Sequence, residues 1–333
     1  MNYNADEYGL AKLINAQSGI TSLHLESEKK GDGLMINKEL EVHASSLKHF
    51  IMESPYLISA TSLYSCIWLE TLKLDTKSYE RVIDLTTSTM LYESFMNSLA
   101  SATFPNLCNL HLRVLGYCPT SILKVAENLV VRSGGKLRSL FLHGIFKKEQ
   151  VKPSLLQNIA KYCPKLKYLS VWIISNDDIR YLEQLLSSCL LLKGIIVNTW
   201  PDVRIDGDEL LKLFKRRLSR KLCKFKFDDY LSFSLDHFLT FMNCWNQVDP
   251  LHIHVIDASV FGFNCERVCS SFGQRGILKS FIEVNEFLNF SWDNVEVYCE
   301  CLELDNPARE ISQVYTRTAS KSGARRISNA DII

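Results

Sequence analysis

YCPKLKYLSV, residues 162–171, sets a cysteine three places before a leucine, a second leucine three further on, and a valine two beyond that. The same phase returns at residues 188–197 as SCLLLKGIIV. An apolar step that alternates in this way is the pattern of a half-buried strand. Written as Leu-x-x-Leu-x-Leu, the step appears as ITSLHL (20–25), LKHFIM (47–52), LETLKL (69–74), LCNLHL (107–112) and LRSLFL (137–142). It continues as LKYLSV (166–171), LKGIIV (192–197), LCKFKF (222–227) and, more loosely, VDPLHI (248–253).

The second apolar residue of each step gives a marker series: Leu23, Phe50, Leu72, Leu110, Leu140, Leu169, Ile195, Phe225 and Leu251. The markers recur about every 28 residues, at the long end of the roughly 20–29 expected of a leucine-rich unit. The longest interval, from Leu72 to Leu110, predicts an insertion near residues 75–90. Between steps the apolar period becomes helical. Leu155, Leu156, Ile159 and Tyr162 share one face of LLQNIAKYC, as do Leu210, Leu211, Phe214 and Leu218 in ELLKLFKRRL.

One strand and one helix cannot bury their apolar sides alone, so equivalent steps must stack against their neighbours to form a continuous core. The expected fold is an α/β leucine-rich-repeat solenoid of about eight or nine repeats, with a curved parallel sheet on the concave face and helices on the convex face. Cys66, Cys163 and Cys189 stand three residues before the first leucine of their units, where Phe104 and Gly134 stand in two others. Small apolar side chains are expected there, packed where helix returns to strand. The domain layout read from the pattern is an N-terminal capping helix over 1–19, the solenoid over 20–256, a degenerate repeat or C-terminal cap over 257–305, and a disordered tail over 306–333. In the third segment ILKSFIEVNEFL (277–288) reads as helix and VEVYCECLEL (295–304) as strand. The tail has few large apolar residues and a surplus of arginine, and RRIS (325–328) has the form of a basic-directed phosphorylation site.

The bulk numbers exclude several classes. The 333 residues carry 38 Lys and Arg against 37 Asp and Glu, so no global field draws the chain to nucleic acid or an anionic membrane. The first twenty residues lack a secretory h-region and no apolar run is long enough to span a bilayer. Eleven cysteines without a compact framework favour reduced thiols, hence cytosol or nucleus.

The phased unit resembles the ribonuclease-inhibitor-like superfamily of leucine-rich repeats, and most closely the cysteine-containing repeats of fungal F-box/leucine-rich-repeat proteins. FPNLCNLHL (104–112) and YCPKLKYLSV carry the likeness, which covers residues 20–256. It implies a recognition scaffold for another protein, with a ubiquitination substrate as the implied partner and no cofactor. No F-box is detected, since the first strand begins by Ile20. Such repeats often place Asn or Cys at the ninth position to hold the turn; here that position is Lys77, Leu115, Ile145, Ile174 or Trp200. The turns are expected to be held differently.

In a curved stack, positions five and seven of each unit face the concave side. The partner-binding set read from this phase is His111, Arg113, Phe141, His143, Trp172, Asn198, Lys226, Asp228, His252 and His254, with His24, Lys73, Asp75, Ser170 and Ile196 on the same face. Aromatic and Arg side chains side by side are what protein–protein hot spots use. Five of the eight histidines fall in this outward set, so binding is expected to respond between pH 5 and 8. His252-x-His254, Cys265-x-x-x-Cys269 and Cys299-x-Cys301 lack paired zinc spacing, so no metal is expected.

KLFKRRLSRKLCKFK (212–226) carries eight basic residues in fifteen, among them Lys212, Lys215, Arg216, Arg217, Arg220 and Lys221. It reads as a solvated helix face, with nuclear import, a phosphate-rich ligand or an acidic docking partner as the functional readings. SGGKLRS (133–139) lacks the Ser or Thr and the upstream glycine of a P-loop, and no nucleophile elbow, H-E-x-x-H or kinase set is present. The expectation is therefore a non-enzymatic scaffold with a protein partner. The rivals are a leucine-rich GTPase activator, for which Arg113 is the concave-phase arginine, and an enzyme site within 257–305.

Overall fold

The computed structural model of the chain describes residues 4–25, 34–52, 58–75, 93–117, 121–145, 151–200, 203, 205–217, 221–227, 231–245, 251–255, 272, 278–283 and 314–316. Its elements run α1 (Asn4–Asn15), β1 (Ser22–Leu25), α2 (Leu34–His43), β2 (His49–Met52), a 3-10 turn (Ala60–Leu63), β3 (Thr71–Asp75), α3 (93–99) and β4 (Asn109–Tyr117). They continue as α4 (Ser121–Arg132), β5 (Ser139–Ile145), α5 (Pro153–Tyr162), β6 (Tyr168–Ile173), α6 (Asp178–Ser188), β7 (Gly194–Thr199), β8 (Ile205–Asp206) and α7 (Gly207–Arg217). The last are β9 (Lys224–Phe227), β10 (Leu231–Ser232), α8 (Leu235–Asn243), β11 (Leu251–Val255), β12 (Leu278–Glu283) and β13 (Val314–Thr316).

Nine strands, β1 to β7 with β9 and β11, lie side by side in chain order, every neighbouring pair parallel. β12 adds to β11 and β13 to β1 at the two edges, and the short β8 and β10 pair apart from this sheet. Successive parallel strands require a crossover between them, which the intervening helices supply. The register shows why each unit repeats. Leu23, Phe50, Leu72, Leu110, Leu140, Leu169, Ile195 and Phe225 stand in one row across eight strands. One joint is copied down the stack: the carbonyl at position two accepts from the N–H groups of positions two and three of the next unit. Thr21, Lys48, Glu70, Cys108, Arg138, Lys167 and Lys193 all accept in this way.

The ninth marker departs from the row. Ile253, not Leu251, stands beside Phe225, so the last unit is shifted by two residues from the expected register. Because the shift is even, the side-chain alternation keeps its sense.

Positions four and six of the strands and the inner faces of the helices form one continuous apolar core. Leu156 and Ile159 of α5, Leu182, Leu185 and Leu186 of α6, and Leu210, Leu211 and Phe214 of α7 are buried in it, while Leu155 and Tyr162 pack at its margin. Leu218 of the expected α7 stripe lies outside the described residues. Helices contact their sequence neighbours, α1 with α2 and α4 through α8 in turn. Each fully buried leucine or isoleucine contributes roughly 1.5–3 kcal/mol of transfer free energy, so the stack is stabilised chiefly by this layer.

The turns bear out the cysteine reading. Cys66, Cys163 and Cys189 are fully buried, and the backbone N–H groups of Cys163 and Cys189 close the last turns of α5 and α6 on Ile159 and Leu185. Burial pushes the Cys163 and Cys189 thiols up to about 12, which holds them as unreactive core groups. Gly134 takes this place after α4 because the backbone there is left-handed, with φ of 62°. The missing ninth-position asparagine is replaced, between β6 and α6, by buried Asp178. Its Oδ2 accepts from the N–H groups of Ile174 and Ser175 at 2.9 and 3.0 Å.

One element is corrected. The run expected to be helical over 277–288 contains a strand, Leu278–Glu283, whose conformation is fixed by parallel pairing with β11. An exposed sheet edge overrides helical period in such a segment. In the segment expected to be a disordered tail, Val314–Thr316 are described and form β13. The insertion near 75–90 falls almost entirely on residues 76–92, and it lies with VEVYCECLEL and RRIS outside the described residues.

Candidate interaction face

Alternation along the strands leaves positions three, five and seven on the sheet face away from the helices. Position five reads, across the sheet, His24, Ile51, Lys73, His111, Phe141, Ser170, Ile196, Lys226 and His254. Position seven places Asp75 beside Arg113, Arg113 beside His143, and Trp172 beside Asn198. The expected concave-phase residues are thus brought together on a single face, with two exceptions: Asp228 lies outside the described residues, and His252, through the shift of β11, stands in row three beside Lys224.

Row three was not anticipated, although the strand period of two implies it. His49 Nδ1 meets Thr71 Oγ1 at 3.1 Å, and Asn109 Nδ2 donates to the same oxygen at 3.2 Å, a polar ladder over three strands. Further along, Lys224 Nζ sits 5.8 Å from the centre of the Tyr168 ring. Gly194 stands between them in register, and a Cβ there would come within 3.0 Å of the Tyr168 ring. The glycine is therefore explained by the close approach of that ring.

The face is less open than its phase implies. Phe141 packs with Tyr168 and Ile196 in a second, smaller apolar cluster, and the His111 and Phe141 rings lie 5.7 Å apart. Trp172 belongs to the main core. Arg113 and Lys226 are each only 5% exposed. His111, His143, His252, Lys73 and Lys224 keep partial exposure. Cross-strand packing between large side chains at 4.5–5.5 Å spacing accounts for part of this shielding.

Two polar arrangements sit within the face. Arg113 Nη1 lies 3.7 Å from Asp75 Oδ2 with both side chains buried, the pairing that a desolvated guanidinium demands. Between β5 and β6 the regular pairing covers Ser139 with Tyr168 and Leu140 with Leu169. Beyond it, Ser170 Oγ donates to the Leu142 carbonyl at 2.9 Å. Asn198 Nδ2 donates in turn to Ser170 Oγ at 2.9 Å and to the Val171 carbonyl at 3.1 Å. Side chains here supply hydrogen bonds to buried carbonyls along this part of the sheet.

The charged groups acting on His143 are cationic. Burial pushes the His143 imidazole down to about 3, and Arg113, Lys226 and His111 push the same way. His143 thus stays neutral across pH 5 to 8, which removes it from the set of histidines expected to switch there. Among the described side chains of the three rows, Lys73, Arg113, Lys224 and Lys226 are fixed cations and Asp75 is the carboxylate.

The basic segment is dispersed by the fold. Lys212 pairs with Glu209 at 2.7 Å and Arg217 with Glu183 at 2.9 Å, while Lys215 and Arg216 project from the last turn of α7, where cations complement the helix dipole. Lys221 is exposed in the following turn, Lys224 and Lys226 belong to the strand face, and Arg220 is outside the described residues. A Ser-His-Asp grouping, invisible in the sequence, forms at the start of α8. Ser234 Oγ and Asp208 Oδ2 both meet His237 Nδ1, at 2.9 and 3.0 Å. A proton relay needs the two ring nitrogens to serve different partners. Here one nitrogen serves both, and Ser234 accepts the His237 N–H as a helix N-cap. Among the described residues no group of three or more metal-ligating side chains converges, and Cys265, Cys269, Cys299 and Cys301 lie outside them. No helix among the described residues is long and apolar enough to cross a membrane.

No family model matches the chain, and no curated protein matches it either. A solved structure of a Bacteroides fragilis protein from a structural genomics programme is similar at 12% identity, over 68% of this chain and 72% of that one, with a TM-score of 0.34. That likeness is too distant to carry over a fold or an activity.

Proposed function

We propose that the chain is a leucine-rich-repeat solenoid of nine units, related in its phasing to F-box/leucine-rich-repeat proteins, that acts as a non-catalytic recognition scaffold. The strand face binds another protein, and by that resemblance the bound protein is a substrate presented for ubiquitination in the cytosol or nucleus. The observation that carries the reading is the single row of markers across eight neighbouring strands, which aligns His111, Phe141, Tyr168, Ile196 and Lys224 into one continuous surface. Stacked-unit architectures use such extended surfaces for binding. The GTPase-activator reading is weaker, because an arginine finger must reach a partner, whereas Arg113 is buried and held by Asp75.

The test compares affinity capture by the native chain with that of two variants. His111→Glu with Ile196→Glu alters the strand face; Lys215→Glu with Arg216→Glu alters the helix side. A specific partner retained by the helix-side variant and lost, tenfold or more, by the strand-face variant is the expected result. Loss on the helix side alone, or no specific partner with any form, contradicts the proposal.

A further inference from the structure

We infer that the helix-to-strand edge of units five to eight is a docking surface for an anionic lipid bilayer. The inference concerns a different surface from the recognition reading and does not depend on it. β5, β6, β7 and β9 are parallel neighbours, so the connections that lead into them from α4, α5, α6 and α7 emerge along one edge of the sheet. Those connections, residues 132–138, 161–167, 189–193 and 215–224, carry 13 Lys and Arg and no Asp or Glu. Residues 218–220 lie outside the described residues and contribute Arg220 to that set. Glu183 on α6 is taken up by Arg217 at 2.9 Å, and Asp249 enters only with the connection of the ninth unit. Cations in the last turn of a helix complement its dipole, which accounts for Arg132, Lys161 and Lys215. It does not account for Arg138, Lys165 and Lys221, which stand beyond the helices, are exposed, and make no ion pair among the described residues.

The second observation is apolar. Leu190 is 64% exposed and Leu191 38%, side by side in the turn between α6 and β7. The connection on one side of that turn brings Lys165, and the connection on the other brings Lys221. Projecting leucines set among cations are what an anionic bilayer rewards, since interfacial binding grows with the apolar area inserted and with attraction to the headgroups. A protein partner fits less well, because eight of the 13 cations are lysine, which protein–protein interfaces deplete. A nucleic acid fits less well too. It has no use for the leucines, and the aromatic ring on these connections, Tyr162, is half-buried with Lys161 Nζ 5.0 Å from its centre. The net charge of +1 for the whole chain is no obstacle, because the attraction acts over about a Debye length and only this edge approaches the surface.

The test is co-sedimentation of the full chain with sucrose-loaded vesicles, of phosphatidylcholine and phosphatidylserine at a 3:1 ratio or of phosphatidylcholine alone. At low salt the mixed vesicles should bind the chain at least tenfold more tightly than the neutral ones, and raised salt should release it. Lys165→Gln with Lys215→Gln and Lys221→Gln should weaken that binding at least tenfold. Leu190→Ser with Leu191→Ser should weaken it at least threefold with every charge retained. All five positions are exposed, so both variants keep the core and should unfold at the native denaturant midpoint. His111→Glu with Ile196→Glu, on the strand face, should leave vesicle binding unchanged. Equal binding of the two vesicle types, or indifference to either the lysine or the leucine exchange, overturns the inference. So does displacement from the mixed vesicles by a twelve-nucleotide single-stranded DNA or a twelve-residue poly-Glu peptide at equal charge concentration. None of these outcomes bears on the scaffold reading, which stands or falls by the capture experiment.

Discussion

Replacing Phe225 with alanine is expected to lower the free energy of unfolding by about 3–5 kcal/mol, the usual cost of emptying a buried aromatic site. Phe225 is fully buried at the marker position of β9. Its ring meets Phe214 edge-on at 5.0 Å, Phe241 at 5.8 Å and Trp245 at 6.2 Å, and stacks beside Phe227 at 6.0 Å. Those partners come from α7, α8, the residue Trp245 just beyond α8, and β9 itself, so one truncation removes contacts with two helices and the segment after the second. Edge-to-face pairs contribute roughly 0.5–1.5 kcal/mol beyond their buried area, and a site ringed by rigid aromatics collapses poorly around a void. Denaturant midpoints at unchanged slope would report the loss, with Lys215→Ala as an exposed control near zero. A change under about 1 kcal/mol would mean that Phe225 does not occupy the row assigned to it.

The second large effect is on acid stability. In the folded chain His143 is held to about 3, by burial first and by Arg113, Lys226 and His111 after it. Unfolded, its imidazole returns to about 6.5. Between those values the unfolded chain binds the extra proton, so the contribution of neutral, buried His143 is fully present above pH 6.5 and is lost as the pH falls toward 3. The amount is on the order of 5 kcal/mol. His143→Leu, which keeps the apolar packing and removes the proton site, should flatten the stability profile by that amount across the same window relative to the native chain. Superimposable profiles would show that the imidazole is not shielded beside those cations.

The strand layer was legible because its signal is periodic and repeated. Eight of the nine markers fall in the observed row, and each is an apolar residue flanked at fixed phase by another. The ninth failed for a local reason: in VDPLHIHV both Leu251 and Ile253 satisfy the alternation, and only pairing with β9 decides between them. Position three was passed over because its residues, among them Thr71, Asn109 and Gly194, look unremarkable one at a time. Their cross-strand partners give them meaning. The burial of Arg113 and Lys226 was illegible for a similar reason, since sequence phase assigns a face but does not measure its depth. Ser234, His237 and Asp208 meet only because α7 and α8 are neighbours.

The central claim, that strands stack in chain order with one unit per step, is tested most directly by spin-label distances. Labels introduced as an unnatural amino acid leave the native cysteines in place. With one label at Lys48 and the second at Arg138, Lys167 or Lys193, all at position two of their units, the pairs are three, four and five strands apart. Backbone separations should rise monotonically, near 14, 19 and 24 Å at about 4.8 Å per strand. A series that fails to increase in that order would contradict the stack, and with it the aligned face on which recognition is proposed.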